Sequence, residues 1–185
     1  MAPTPSNMLA LGTTAPDFTL IDTFDDNNKS LQHLKGDKAT VIMFICNHCP
    51  FVIHVNNILV AIANQYTTIG IGFIAISSND AENYPQDGPD KMKSHANAEN
   101  YPFPYLYDET QEVAKSYDVA CTPDVYVFDA DLKLIYRGQL DESRPGNGIP
   151  VTGNDLKHAL DCLLAEKENE RVQKPSIGCN IKWKM

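Results

Sequence analysis

The chain changes its hydrophobic period within the segment Phe44-Ile45-Cys46-Asn47-His48-Cys49-Pro50-Phe51. Before it, residues 40–45 form a continuous β-branched and apolar run, typical of a central strand covered on both faces. After it, apolar residues recur at three- and four-residue steps as far as Tyr66, which indicates an amphipathic helix of about four turns. Pro50 suits the first helical position, where a backbone N–H would have no partner. A Cys-x-x-Cys pair therefore lies at a junction between strand and helix.

The remaining patterns indicate an α/β protein. A second buried strand is predicted over residues 69–76, and strands over 125–129 and 133–137 form a hairpin around Ala130-Asp131. A last amphipathic helix is predicted over residues 154–168. This order of elements favours a central mixed β-sheet flanked by helices.

The domain organisation is predicted from composition along the chain. We expect residues 1–10, which are polar and rich in proline, to form a loose N-terminal arm. Residues 11–168 then make up one domain. The tail, residues 169–185, carries Ile177, Ile181 and Trp183, so we expect it to pack on the body of the protein or on the second subunit of a homodimer.

Composition and charge restrict the function classes. A length of 185 residues, with 43% hydrophobic and 21% charged residues, fits one globular domain. The formal net charge of −9 argues against nucleic acid or an anionic membrane as the main partner. No targeting segment is evident, and the longest apolar run, Ala39 to Cys46, is too short to span a bilayer. We therefore expect a cytoplasmic protein.

The five cysteines do not suggest a secreted disulfide framework, because their number is odd and their spacing irregular. In a reducing cytoplasm they rest mainly as thiols. Any disulfide is then expected to be transient and catalytic.

Cys49 falls at the N-cap position of the predicted helix. Free N–H groups of the first turn point towards it, and the helix dipole adds partial positive charge. Both favour the thiolate, which is the reactive form of cysteine. His48 either adds positive charge beside the sulfur or faces solvent. We predict that Cys49 is a nucleophile, the alternative being that it and Cys46 are small buried hydrophobes.

A metal or haem centre is not expected at this motif. A structural zinc site needs four ligands, and neither a second Cys-x-x-Cys nor a spaced histidine pair is present. Zinc would have to recruit Cys46, Cys49 and His48 together with Cys121 or Cys179. Attachment of c-type haem requires a histidine where Pro50 stands.

A second motif, Cys121-Thr122-Pro123, precedes the predicted hairpin. Together with a strand and a cysteine at a helix start, it resembles the thioredoxin superfamily. Gly12 to Leu20 and Pro175 to Cys179 narrow the likeness to the peroxiredoxin-like branch, which includes alkyl hydroperoxide reductase and thiol-specific antioxidant proteins. The resemblance implies a three-layer thioredoxin-like fold and a cis Thr122–Pro123 bond against the reactive cysteine.

The chain also departs from these families at several positions. Val52 stands where thioredoxin keeps its second cysteine, so the extra cysteine lies upstream at Cys46. Cys46 in turn occupies the place of a peroxiredoxin threonine, and Ile42 that of a proline. No arginine stands near Pro123 to steady a peroxide. Thiol chemistry is therefore predicted, whereas the choice between disulfide and peroxide substrates stays open.

The resemblance assigns roles to particular residues. We expect Cys49 to attack a disulfide or hydroperoxide, giving a mixed disulfide or sulfenic acid that a second thiol resolves. The candidate resolving residues, in order of preference, are Cys46, Cys121 and Cys179. The expected substrate-positioning residues are Thr122, Pro123, Pro50 and His48. No organic cofactor is needed, because a dithiol protein or a small thiol supplies the electrons.

Copper handling is the alternative function. The motif resembles that of Sco-type copper chaperones, which place an upstream cysteine before a Cys-Pro at a helix start on the same fold. Cys46, Cys49 and a histidine would suit Cu(I), because thiolates select soft metals. Those chaperones have one more residue between the cysteines and are usually membrane-anchored outside the cytoplasm. A third interpretation is a non-catalytic interaction domain with inert cysteines.

Overall fold

A computed structural model describes residues 3–184 of the chain. The strands are β1 (Thr4–Pro5), β2 (Thr19–Asp22), β3 (Asn28–Ser30), β4 (Ala39–Phe44), β5 (Ile71–Ser77), β6 (Tyr105–Tyr107), β7 (Cys121–Thr122), β8 (Asp124–Asp129), β9 (Leu134–Gly138) and β10 (Ile177–Asn180). The helices are α1 (Leu31–Leu34), α2 (Pro50–Thr67), α3 (Pro89–Ala98), α4 (Glu112–Ser116) and α5 (Asn154–Leu164).

A seven-stranded mixed sheet forms the middle layer, in the order β3-β2-β6-β5-β4-β8-β9. β4 pairs in parallel with β5 and antiparallel with β8, and all six of its residues are buried. The apolar run at residues 40–45 therefore occupies a central strand, as its composition predicts. The predicted α/β fold with a central mixed sheet flanked by helices is confirmed.

Helices cover both faces of the sheet. On one face, Val41 and Met43 pack with buried residues of α2, α3 and α5. On the other, Ile42 and Phe44 pack with residues of α1 and α4 and with Tyr117. The alternation of side chains along β4 thus fills two cores at once. Because α2 begins directly after this strand, the Cys-x-x-Cys segment lies at the carboxyl edge of the sheet.

The N-terminal segment differs from the predicted loose arm. Thr4 and Pro5 pair antiparallel with Gly178 and Ile177, and Ser6 is buried, with its N–H donating to the carbonyl of Ser176 at 2.9 Å. The pairing satisfies backbone groups of both chain ends, and a polar, proline-rich composition carries no signal for it. Residues 1 and 2 of the predicted arm lie outside the described residues.

The C-terminal segment lies on the body of its own chain. β10 pairs antiparallel with β7, with Cys179 opposite Thr122 and Asn180 opposite Cys121. Beyond it, Ile181 is buried, and the Lys182 N–H donates to Asn79 Oδ1 at 2.9 Å. β1, β10 and β7 form a second, three-stranded sheet. Across residues 3–184, no helix has both the length and the apolar character needed to cross a membrane.

Candidate active site

Cys49 is the N-cap residue of α2, with Pro50 in the first turn as predicted. Its side chain is fully buried, at 0% exposure, and its Sγ lies 3.2 Å from the carbonyl oxygen of Thr122. The Thr122–Pro123 peptide bond is cis, as the resemblance implies. The structure therefore brings Cys49 and the Thr-Pro loop together, although 73 residues separate Cys49 from Thr122.

Several neighbours hold the pKa of the Cys49 thiol well below its ordinary value. The largest cause is a hydrogen bond from the Cys46 thiol, and burial acts in the opposite direction. Hydrogen bonds from the side chains of Cys179 and Thr122 and from the Val52 N–H lower the pKa further. The sequence assigned this role mainly to the amides of the helix start. In the structure the Cys49 side chain makes no capping hydrogen bond of standard geometry, and Cys46 has the larger effect.

Cys46 is the proton-bearing member of the pair. Its pKa is raised well above the ordinary value, first because its thiol donates to Cys49, then because it is buried and because Asp87 is close. Its Sγ also lies 3.4 Å from Thr122 Oγ1. The two thiols of the motif are therefore chemically unequal. Cys49 is the better anion, and Cys46 holds the proton that stabilises it.

The other two candidate resolving cysteines lie differently. Cys179 faces Thr122 across the β10–β7 pair, and its thiol hydrogen-bonds to Cys49. Burial and then this hydrogen bond raise the pKa of Cys179 to about 12. Cys121 precedes Thr122 in β7, and successive side chains of a strand point to opposite sides. Its Sγ accordingly points to the Pro123 carbonyl oxygen, at 3.9 Å, and burial raises its pKa.

Asp87 completes the site, and sequence analysis did not select it. Its side chain is 0% exposed, and its Oδ1 accepts a hydrogen bond from the Asn47 N–H at 2.9 Å. Its Oδ2 accepts from Asn79 Nδ2 at 2.8 Å and lies 2.6 Å from His48 Nδ1. The His48 ring stacks on Tyr84, with 6.1 Å between ring centroids. His48, predicted to position substrate, to add positive charge or to face solvent, lies against this buried carboxylate, and its own side chain is partly exposed.

A signal for Asp87 did exist in the sequence. Asp87 follows β5, which is parallel to β4 and adjacent to it. Residues that follow neighbouring parallel strands meet at the same edge of a sheet, and such edges carry binding sites. This signal points to the sheet edge as a whole and does not single out Asp87, because the segment Asp87-Gly88-Pro89 also has the signature of an ordinary turn.

The arrangement does not favour Cu(I) binding. One ligand-type atom from each of Cys46, His48 and Asp87 lies within 4.8 Å of the others, but this group excludes Cys49. A carboxylate is a poor match for a soft ion, and the raised pKa of Cys46 opposes the second thiolate that Cu(I) would need.

The fully buried arginine of this region, Arg137, is engaged elsewhere. Its Nη2 donates to Asp124 Oδ2 and to the carbonyl of Asp118, both at 2.9 Å. Its guanidinium carbon lies 4.4 Å from the centroid of the Tyr126 ring. The contacts of Arg137 are therefore with the buried residues beside β8, and it makes no hydrogen bond to Cys49.

A thioredoxin-like fold with unequal paired thiols at a helix start defines a class of thiol redox proteins. The chain belongs to the Redoxin family, whose model matches residues 10–156. Among curated proteins, none is similar enough to count as a match.

Several solved structures are similar to this chain. The chain is 61% identical to an uncharacterized conserved protein from Geobacillus kaustophilus, covering 100% of this chain and 97% of that one at a TM-score of 0.98. It is 44% identical to a hypothetical protein from Sinorhizobium meliloti, covering 98% of both chains at a TM-score of 0.95. The thioredoxin domain of a thiol-disulfide oxidoreductase from Bacteroides vulgatus is 20% identical, with 83% of this chain and 97% of that one covered and a TM-score of 0.65, and shares the fold.

Proposed function

We propose that this protein is a thiol–disulfide oxidoreductase in which Cys49 attacks a disulfide and Cys46 resolves the product. The observation that carries the proposal is the position of both thiols at the start of α2 against one residue of the cis Thr-Pro loop. Cys49 Sγ lies 3.2 Å from the Thr122 carbonyl oxygen, and Cys46 Sγ lies 3.4 Å from Thr122 Oγ1. The pKa of Cys49 is lowered and that of Cys46 is raised, which agrees with these unequal roles. A low-pKa thiolate attacks at neutral pH, and the neighbour three residues away supplies the thiol for the second step once it loses its proton.

The reaction balances without a bound cofactor. The Cys49 thiolate attacks a substrate disulfide R–S–S–R′, forms Cys49–S–S–R and releases R′–S⁻, which takes up a proton. Cys46 then loses its proton and attacks the Cys49 sulfur, releasing R–S⁻ and forming a Cys46–Cys49 disulfide. The substrate is reduced by two electrons, and the two cysteines are oxidised.

A dithiol protein or a small thiol returns the enzyme to its reduced form by the same exchange in reverse. This cycle suits a reducing compartment such as the cytoplasm, where the resting thiols stay reduced. Thr122 and Pro123 are the residues we assign to positioning the incoming sulfur, because the Thr122 carbonyl lies 3.2 Å from Cys49 Sγ. Cys179 is the alternative resolving thiol.

We prefer disulfide exchange to peroxide reduction because no arginine among residues 3–184 is placed to stabilise a bound peroxide. Arg137 donates its hydrogen bonds to Asp124 and to the carbonyl of Asp118. Arg144 lines a cavity together with Phe51 and Pro123, but its guanidinium donates to the carbonyls of Asp141 and Ser143 and to Gln139 Oε1. Neither arginine makes a hydrogen bond to Cys49. Formation of a sulfenic acid on Cys49 with added hydrogen peroxide, at a rate above that of a free thiol, would favour the peroxidase function instead.

The test uses the full chain, oxidised glutathione and mass spectrometry of the intact protein and its peptides. Wild-type protein should give a Cys46–Cys49 disulfide, Cys46→Ser should accumulate a glutathione adduct on Cys49, and Cys49→Ser should give neither. Cys162→Ser, which alters a half-buried cysteine of α5, serves as the matched control and should behave as wild type. Formation of a glutathione adduct on another cysteine of Cys49→Ser, at the rate of the wild-type reaction, would show that another thiol is the nucleophile.

A further inference from the structure

The resolving step creates a chemical requirement that the two cysteines do not meet. Cys46 carries its proton in the resting protein because Cys49 accepts it in a hydrogen bond. Once Cys49 is in a mixed disulfide, its sulfur is no longer an anion. Cys46 must then pass its proton to another group, because a thiol is a poor nucleophile.

The groups around Cys46 limit the candidates. Thr122 Oγ1, 3.4 Å away, is a neutral hydroxyl. Tyr101 and Tyr105 also interact electrostatically with Cys46, but burial raises the pKa of both phenols, so they stay protonated and cannot accept its proton. Of the neighbours named for this sulfur, a carboxylate and an imidazole remain. One atom of each, from Asp87 and His48, lies within 4.8 Å of the Cys46 Sγ.

We propose that Asp87 and His48 form the proton acceptor that activates Cys46 for the resolving step. The inference rests on the proposed function and assigns a role to two residues that it does not use. The proton leaves Cys46 Sγ for the pair, the Cys46 sulfur bonds to the Cys49 sulfur, and the Cys49–substrate bond breaks. The departing thiolate takes up a proton from the pair or from solvent.

The geometry of the pair fits this role. Asp87 Oδ2 and His48 Nδ1 are 2.6 Å apart, so the carboxylate and the imidazole are close enough to pass a proton from one to the other. The carboxylate is fixed by donors on both oxygens, from Asn47 and from Asn79. The His48 side chain is 29% exposed, so the imidazole can exchange a proton with water while the carboxylate stays buried.

The same contacts tie the acceptor to the dithiol loop. Asn47 and His48 are the two residues between the cysteines, and both contact Asp87. Asn47 Nδ2 also donates to the carbonyl of Gln86 at 2.8 Å. These contacts therefore hold the turn that carries Asp87 against the loop that carries Cys46. His95 also interacts with Asp87 through space, but burial lowers the pKa of His95 and keeps it neutral.

The experiment separates the two chemical steps by rapid mixing with oxidised glutathione and acid quench. The first step is the appearance of the adduct on Cys49, and the second is its loss to the Cys46–Cys49 disulfide. We expect His48→Ala and Asp87→Asn to slow the second step by about 100-fold, the usual scale of general-base catalysis. The first step should change by less than about threefold. The matched controls are His33→Ala and Asp90→Asn, which alter exposed residues of α1 and α3.

The pH profile distinguishes proton transfer from loss of structure. In both variants the second step should rise by about tenfold per pH unit through the neutral range, because hydroxide must then remove the proton. The wild-type profile should be flatter, and added imidazole should restore the rate of His48→Ala. Resolution at the wild-type rate in both variants, or a lowered rate with an unchanged pH profile and no rescue, would overturn the inference while leaving the proposed function intact. Failure of Cys49 to form any adduct in wild-type protein would overturn both.

Discussion

Cys179 lies directly opposite Thr122 in the antiparallel pair of β10 and β7, and this register places the C-terminal strand over the sulfur of Cys49. Thr122 contacts both thiols of the Cys-x-x-Cys motif, through its carbonyl to Cys49 and its hydroxyl to Cys46. The reactive sulfur is therefore enclosed by three segments that are far apart in sequence. Because Cys49 is 0% exposed, an external disulfide reaches it only when this cover moves.

Displacing β10 should accelerate the reaction of Cys49 with external reagents. Gly178 has no room for a side chain, because a Cβ there would lie against the Thr122 carbonyl oxygen and the Pro123 nitrogen. Gly178→Val should separate β10 from β7 and raise the rate of Cys49 alkylation by a bulky maleimide at least about tenfold, equivalent to about 1.4 kcal/mol in the cost of opening. The rate is read at pH 7 by peptide mapping.

The control for general loss of stability is Gly146→Ala. Gly146 has φ +82° in an exposed loop with nothing within 4 Å of an added Cβ, so the change strains the backbone without touching the cover. Its alkylation rate should match that of wild type. Equal rates in Gly178→Val and wild type would mean that β10 does not limit access to Cys49.

Removing the Cys46 thiol should raise the pKa of Cys49. The hydrogen bond from Cys46 is the largest cause of the lowered pKa, so Cys46→Ala removes the main stabilisation of the anion. Alkylation by iodoacetamide should be nearly independent of pH from 6 to 8 in wild type. In Cys46→Ala it should rise with pH over that range, because only the thiolate reacts. Cys179→Ala should give a smaller shift of the same sign. A flat profile in Cys46→Ala would contradict the assignment.

The parts of the fold that sequence could predict are those with an unbroken local pattern. β4 could be predicted from the apolar run at residues 40–45, and α2 from the three- and four-residue spacing of apolar residues after Pro50. The junction between the two elements follows from these predictions. The start of the helix placed Cys49 correctly at its N-cap. The cis bond before Pro123 came from family resemblance, since the dipeptide alone is equally compatible with an ordinary loop.

The contacts that sequence could not predict join short segments without periodicity. β7 has two residues, so its pairing with β10 leaves no pattern. Successive side chains of β7 point to opposite sides, so the Thr122 side chain points towards the thiols of the motif and the Cys121 side chain points away from them. Sequence ranked Cys121 ahead of Cys179, whereas the structure places the Cys179 thiol beside Cys49.

Cys121 should therefore be dispensable for disulfide exchange. Its thiol points to the Pro123 carbonyl, and burial keeps it protonated. Cys121→Ala should leave the rates of adduct formation and resolution within about threefold of wild type. The measurement is the same glutathione assay, and Cys46→Ser, which should block resolution, is the positive comparison. Loss of the Cys46–Cys49 disulfide in Cys121→Ala would restore Cys121 as a resolving thiol.

Stability should depend on the buried pair of Arg137 and Asp124, both of which are fully buried. Burial raises the pKa of Asp124 to about 6, and Arg137 opposes that rise. Arg137→Met leaves the carboxylate without its partner and should cost about 3–5 kcal/mol in the free energy of unfolding. Lys115→Met, which breaks an exposed pair with Glu112, is the control and should cost less than about 1 kcal/mol.

The sign of the pH dependence follows from the direction of the Asp124 shift. An acid whose pKa is higher in the folded state than in the unfolded state contributes stability at low pH, which is lost as pH rises through the folded pKa. Without Arg137 the pKa of Asp124 rises further, so that loss extends to higher pH. Urea unfolding should therefore show a larger deficit for Arg137→Met at pH 8 than at pH 5, and adding Asp124→Asn should recover part of it. An equal deficit at both values would mean that the cost comes from lost packing against Tyr126 instead of from charge.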